Sequence, residues 1–110
     1  MRCQRTMKQV LDGKLYDTED AELIAKHNPV TDRRDFRYLN ERLYRTSNGS
    51  YFLHCEGGPM TEYAKSTGDG KTGGEEIRPV TREEALAWCE DRHVDGEIVV
   101  EEFGELVDPA

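Results

Sequence analysis

Apolar and polar positions alternate over short stretches through much of this chain, and turn residues punctuate them. "KQVLDGKLYD" alternates around Asp12-Gly13. Asp-Gly is a strong two-residue hairpin signal, because both positions tolerate positive φ. Strands are expected at 8–11 and 14–17. The period then changes. In "DTEDAELIAKH", Ala21, Ile24 and Ala25 make one apolar stripe. Asp17 is placed as an N-cap, Glu19 and Asp20 favour a first turn, and Tyr16 can staple onto Ala21. The spacing predicts a helix over 18–27, ended by Asn28-Pro29.

After a loop at 28–35, "FRYLNERLYRTSNGSYFLHCEGG" carries the strongest strand pattern, with aromatic residues in both arms and Asn48-Gly49 at the turn. Two registers are open. A two-residue loop pairs Tyr44 with Leu53, and a three-residue loop with Gly49 left-handed pairs Tyr44 with Phe52. "GGPMTEYAKS" suggests a turn entering a short helix, 66–76 a loop, and "EEIRPV" a short strand with Pro79 at its end or on an edge. "VTREEALAWCEDRH" predicts a helix over 81–92. Thr81 and Glu84 form a capping box, Val80 and Ala85 a staple, and Ala85, Trp88 and Cys89 share a face. The β-branched run in "GEIVVEEF" predicts a strand at 97–103. The fold expected is α+β: one small domain over 8–104, a mainly antiparallel sheet built from β-hairpins, and two helices on one face. Residues 1–7 are an N-terminal extension, with Met7 an alternative start, and 105–110 a C-terminal tail.

Composition narrows the class. The chain has 110 residues, 35% apolar and 35% charged, enough for one core under a wide polar surface. No apolar run is long enough to cross a membrane, and Met1–Leu11 lacks the apolar stretch of a signal peptide. Cys3, Cys55 and Cys89 have no framework spacing and are expected as reduced thiols in a cytosol. The net charge of −8 is unevenly spread. Residues 1–74 carry 12 basic and 11 acidic side chains, whereas residues 75–110 carry 3 and 12.

Several common chemistries fail on spacing. Gly70-Lys71-Thr72 resembles a phosphate-binding tripeptide, but Lys65 stands where a P-loop needs glycine, and Gly73-Gly74 starts a helix poorly. His27, His54 and His93 show no metal-ligand spacing with the cysteines, so neither a metal nor a cofactor is expected. No catalytic set stands out. His54 and Glu56 share a strand face next to Gly57-Gly58, which leaves a small acid–base enzyme as one alternative. Arg33, Arg34, Arg37, Arg42 and Arg45 are interleaved with Phe36, Tyr38 and Tyr44, which leaves a nucleic-acid-binding accessory protein as another. An acidic last third opposes that alternative.

The motifs "GKLYDTEDAELI", "LYRTSNGSYFLHCEGGPMTEYA" and "TREEALAW" resemble a group of small uncharacterised proteins of phages and integrative elements of gut bacteria. The shared pattern is Gly13-Lys14, Tyr16-Asp17-Thr18, Leu43-Tyr44-Arg45-Thr46, Gly49, Tyr51-Phe52-Leu53-His54, Glu56-Gly57-Gly58-Pro59 and Glu84-Ala85 with Trp88, within 8–90. Cys55 stands where that pattern has a small residue, and the acidic end after 93 is an addition. The resemblance implies a mobile-element accessory protein and, by analogy, an inhibitor of host defence of the anti-CRISPR kind.

The reading favoured by residues and resemblance together is a non-enzymatic acidic protein-binding module. It would occlude the basic nucleic-acid-binding surface of a host protein such as a CRISPR effector. Glu83, Glu90, Asp91, Asp95, Glu97, Glu101, Glu102 and Glu105 are its expected contacts. Tyr44, Tyr51 and Tyr63 are candidate anchors if exposed, and Trp88 is expected in the core.

Overall fold

The computed structural model describes residues 7–110; Cys3 and most of the N-terminal extension lie outside that range. β1 (Lys8–Leu11) and β2 (Lys14–Asp17) form the expected first hairpin. Asp12 and Gly13 turn it with φ of 54° and 77°, the left-handed pair that Asp-Gly supplies.

The stretch expected as a helix over 18–27 is instead β3 (Glu22–Val30), antiparallel to β4 (Leu39–Arg45). Asp17 still accepts a hydrogen bond from the Glu19 amide, at 2.9 Å, but it caps a turn. The open side of β4 carries backbone groups that need partners, and nine residues of β3 serve that need. The strand bends to do so. Its register slips between Leu23 and Ala25 and between His27 and Val30, which brings both Ile24 and Ala25 against the core. The apolar stripe is therefore produced by a bulge, which sequence periodicity cannot distinguish from a helical turn.

β4 pairs with β5 (Tyr51–Gly57), with Tyr44 opposite Phe52 and Gly49 at φ 84°. This is the second of the two registers, the one that needs a left-handed glycine. The segment expected as a short helix from Pro59 is a run of turns closed by Thr61 and Ala64 amides. The stretch 66–76, expected as loop, is largely taken up by a small exposed hairpin, β6 (Lys65–Thr67) and β7 (Gly70–Thr72), and by the start of the next strand. The Gly-Lys-Thr tripeptide is β7, with no helix behind it. β8 (Gly74–Val80) then pairs with β5.

α1 (Arg82–Asp91) starts with the full capping box: Glu84 N–H donates to Thr81 Oγ1 at 3.0 Å, and Thr81 N–H to Glu84 Oε1 at 2.8 Å. The strand expected at 97–103 is α2 (Gly96–Phe103), with Asp95 as N-cap. Helical spacing lets Val99 and Phe103 face the core together, four residues apart, and turns Glu97 and Glu101 outward. A 3-10 turn follows at Gly104–Leu106, and Val107 packs back on the core.

The result is α+β, with a four-stranded antiparallel sheet ordered β3-β4-β5-β8 and two helices, α1 and α2, on one face. Alternation along β5 assigns the two faces. Tyr51, Leu53 and Cys55 meet Ala85, Trp88, Cys89 and Phe103. Phe52 faces the other way, with Tyr44 stacked on it at 5.2 Å and Tyr16 of the first hairpin edge-on at 5.5 Å.

Candidate functional site

The acidic residues of the last third divide into two groups. Glu102, expected as a contact, is turned inward. Its carboxylate accepts from Arg45 and from the Tyr51 hydroxyl, and its side chain is 10% exposed. Hydrogen bonding to Glu102 raises the Arg45 pKa, and burial, then Glu102, raises that of Tyr51. Glu105 pairs with Arg82 at 2.9 Å. Asp91 lies 3.9 Å from Arg92 with its side chain 78% exposed, too loose a contact to neutralise it. Glu83, Glu90, Asp95, Glu97 and Glu101 are exposed, and among the described residues none of them forms an ion pair. Asp95 accepts from the Glu97 amide as the α2 cap. Seven residues, or two turns, separate Glu83 from Glu90 on α1, and one turn separates Glu97 from Glu101 on α2. The sequence has no Lys or Arg after Arg92. Of the expected contacts, Glu83, Glu90, Glu97 and Glu101 are thus exposed on helices and Asp95 at a helix cap, whereas Glu102 is turned inward and Glu105 is ion-paired.

The arginine–aromatic cluster is not a stacking platform. Arg33 makes a two-pronged bond to Glu56 at 3.0 and 3.2 Å. Arg34 pairs with Asp32 at 3.3 Å, Arg37 with Asp35 at 3.4 Å, and Arg45 with Glu22 and Glu102. Arg42 is half-buried on β4. Tyr38 and Tyr44 are buried; Phe36 alone of the three rings is exposed. Arg33 and Arg45 are held in partly buried pairs, Arg34 and Arg37 in exposed ones, and buried rings cannot stack on bases. The candidate anchors Tyr44, Tyr51 and Tyr63 are buried too, and Trp88 is in the core.

His54 and Glu56 take separate partners. His54 is buried, and its Nε2 lies 2.7 Å from Glu75 across the strand. Glu56 receives Arg33, the Tyr38 hydroxyl at 3.2 Å and Asn40 Nδ2 at 3.5 Å. Burial first, and Glu56 second, raise the Tyr38 pKa. A cleft of about 530 Å³ opens beside Glu56 and Glu75, between Arg33 and Phe36 on one side and Lys65 and Thr72 on the other. His54 is closed off behind it, so the two groups do not face a common reactant. The glycines here have packing roles. A Cβ on Gly58 would lie 2.6 Å from the Phe36 carbonyl oxygen, and one on Gly74 would collide with the Tyr63 carbonyl.

One residue that sequence reasoning missed is Glu41, 1% exposed on the helix face. It accepts from Arg92 at 2.8 and 3.2 Å, from Trp88 Nε1 at 3.2 Å and from the Tyr63 hydroxyl. Burial alone would raise its pKa; Arg92, Tyr63 and Trp88 outweigh that and hold it lowered. The signal was in the pattern: Glu41 alternates with Leu39 and Leu43, so the core-facing side of β4 had to contain it. Burial pushes the Cys55 and Cys89 thiols up, to about 12 and about 11, away from the range of reactive thiolates.

Among the described residues no three His, Cys, Asp or Glu side chains converge as metal ligands would, and no helix is long and apolar enough to cross a membrane. Comparison with known proteins finds no matching family model, no matching curated protein and no matching solved structure.

Proposed function

We propose that this chain is a protein-binding module without catalytic activity, whose acidic helices occupy a basic nucleic-acid-binding surface on a bacterial host protein. The observation that carries the reading is the contrast in neutralisation. Arg33 and Arg45 are held by largely buried carboxylates of the same chain and Arg34 and Arg37 have more exposed carboxylate partners, whereas Glu83, Glu90, Asp95, Glu97 and Glu101 are left exposed on or at the cap of helices. Such a fixed array attracts a cationic cleft, speeds encounter and rejects anionic partners. The resemblance to mobile-element proteins suggests the partner class. That class is an effector of a nucleic-acid-directed defence system, met in the host cytoplasm and inhibited in the anti-CRISPR manner.

The test uses a purified RNA-guided nuclease and its guide RNA. Wild-type chain is expected to compete with the nucleic acid for the effector, more weakly as salt rises. Glu97→Lys combined with Glu101→Lys should weaken that binding at least tenfold and leave the circular dichroism spectrum unchanged. Glu102 is spared because its carboxylate holds Arg45 and Tyr51. Unchanged competition by the double variant, or none by the wild type, would refute the reading.

A further inference from the structure

The four-stranded sheet has two edges, and they are finished differently. β3 slips register twice and exposes Lys26, whereas a proline next to the strand end and a helix packed against the strand are common to both edges, Pro29 and α2 on β3, Pro79 and α1 on β8. Bulges and edge lysines are among the ways sheets discourage a stray strand. β8 is regular. Its seven residues pair with β5 in unbroken register, from Gly74 opposite Gly57 to Val80 opposite Tyr51. Its one proline, Pro79, sits next to its end. Among the described residues no strand pairs with its outer side.

We propose that this edge is the interface of a symmetric dimer, in which the β8 strands of two copies pair antiparallel about Ile77 and join two sheets into one of eight strands. Two-fold symmetry restricts the register severely. The axis runs normal to the sheet, so each side chain and its symmetry mate point to the same face. Directly opposite residues must also share a face, so the axis passes through a residue and not between two. Centring on Ile77 sets Glu76 opposite Arg78 of the second copy, and Arg78 opposite its Glu76. Centring on Glu76 or on Arg78 sets like charges opposite each other. Centring on Glu75 does the same, and centring on Pro79 sets two prolines opposite each other with no N–H on either strand. One register alone is complementary in charge.

The side chains are already placed for it. Glu76 and Arg78 contact each other at 2.9 Å on one face of β8, and their side chains are 43% and 42% exposed. Glu62 holds Arg78 from the other side at 3.3 Å. Pairing two copies closes these into one network across the axis. The same rotation leaves both helix layers on one side of the joined sheet, which sets the two acidic surfaces next to each other. The dimer does not depend on the binding reading above.

Charge exchange tests it. Wild-type chain is expected to sediment as a dimer in concentration-dependent exchange with monomer, and its β8 amides to gain hydrogen-exchange protection as concentration rises. Glu76→Arg alone, or Arg78→Glu alone, puts like charges at both contacts and should weaken self-association about tenfold or more. The two single variants mixed in equal amounts should recover a heterodimer, and the double variant E76R/R78E a homodimer. Loss of the intrachain ion pair alone would predict recovery in the double variant but no heterodimer from the mixed single variants, so the mixing experiment is the decisive one. A chain that stays monomeric at every concentration reached, a dimer indifferent to the reversals, or single variants that do not combine on mixing would overturn the proposal. Should a variant fail to fold, the wild-type β8 amides decide: protection independent of concentration refutes it.

Discussion

Glu41 and Glu56 sit at the same end of one sheet, on opposite faces, and the surroundings treat them differently. Glu41 lies across from Cys55, and Glu56 across from Asn40. Glu41 gathers donors from α1 with its C-cap and from the 58–64 turns, so that one carboxylate fastens two separate segments over β4. Glu56 gathers Arg33, Tyr38 and Asn40, which lie on one loop and the strand it enters. Its neighbourhood is also less complete. Asn40 Oδ1 and His54 Nδ1 are buried without a hydrogen-bond partner among the described residues, at about 1–3 kcal/mol for each such group. A buried carboxylate stabilises a fold in proportion to how fully its donors are satisfied and how many distant segments they come from. On that measure the helix face is the tighter assembly.

The largest expected effect is therefore at Glu41. Glu41→Gln leaves Arg92 with a neutral partner under α1 and should cost about 3 kcal/mol in denaturant unfolding. That is the lower end for a broken buried pair, because a quarter of the Arg92 side chain stays in water. A loss under about 1 kcal/mol would mean that Arg92 simply returns to solvent. Glu56→Gln should cost less, about 1–2 kcal/mol, since half of the Arg33 side chain is already exposed. Equal losses at the two sites would erase the distinction drawn between the faces.

The acid limb of stability gives a third and smaller measure. The Glu41 pKa is depressed in the folded state relative to its ordinary 4.5. Its contribution is thus fully present above pH 4.5 and is lost as the pH falls through the lower folded value. Wild type and Glu41→Gln should converge in stability on acidification through that window and stay parallel above it. Curves that stay parallel throughout would assign the loss to packing and not to charge.

These differences were only partly legible beforehand. Alternation along β4 and β5 was enough to place Leu43, Leu53 and Cys55 on one side and Tyr44 and Phe52 on the other, once the turn register was known. It could not tell which donors would reach Glu41, because Arg92 is 51 positions away and Tyr63 is 22. The acidic array was visible as a count of charges. Removing Glu102 from it required seeing Arg45 and Tyr51 close over that carboxylate. The arginine cluster needed the same information: residue type shows a charge, and only position shows what pairs with it.

Local chemistry by itself determined the Asp12-Gly13 turn, the left-handed Gly49 and the Thr81–Glu84 capping box, because each is decided within four residues by backbone sterics and hydrogen bonds. The charge gradient was likewise fixed by sequence. Tertiary structure decided Glu22–Val30 and Gly96–Phe103. Helical spacing in the first gave way to a bulged edge strand that satisfies the open backbone of β4. A β-branched run in the second became a helix, because that spacing lets Val99 and Phe103 reach the core together while Asp95 caps the turn. In both segments intrinsic preference is worth a few tenths of a kcal/mol per residue, less than the burial and hydrogen bonding that packing against the sheet provides.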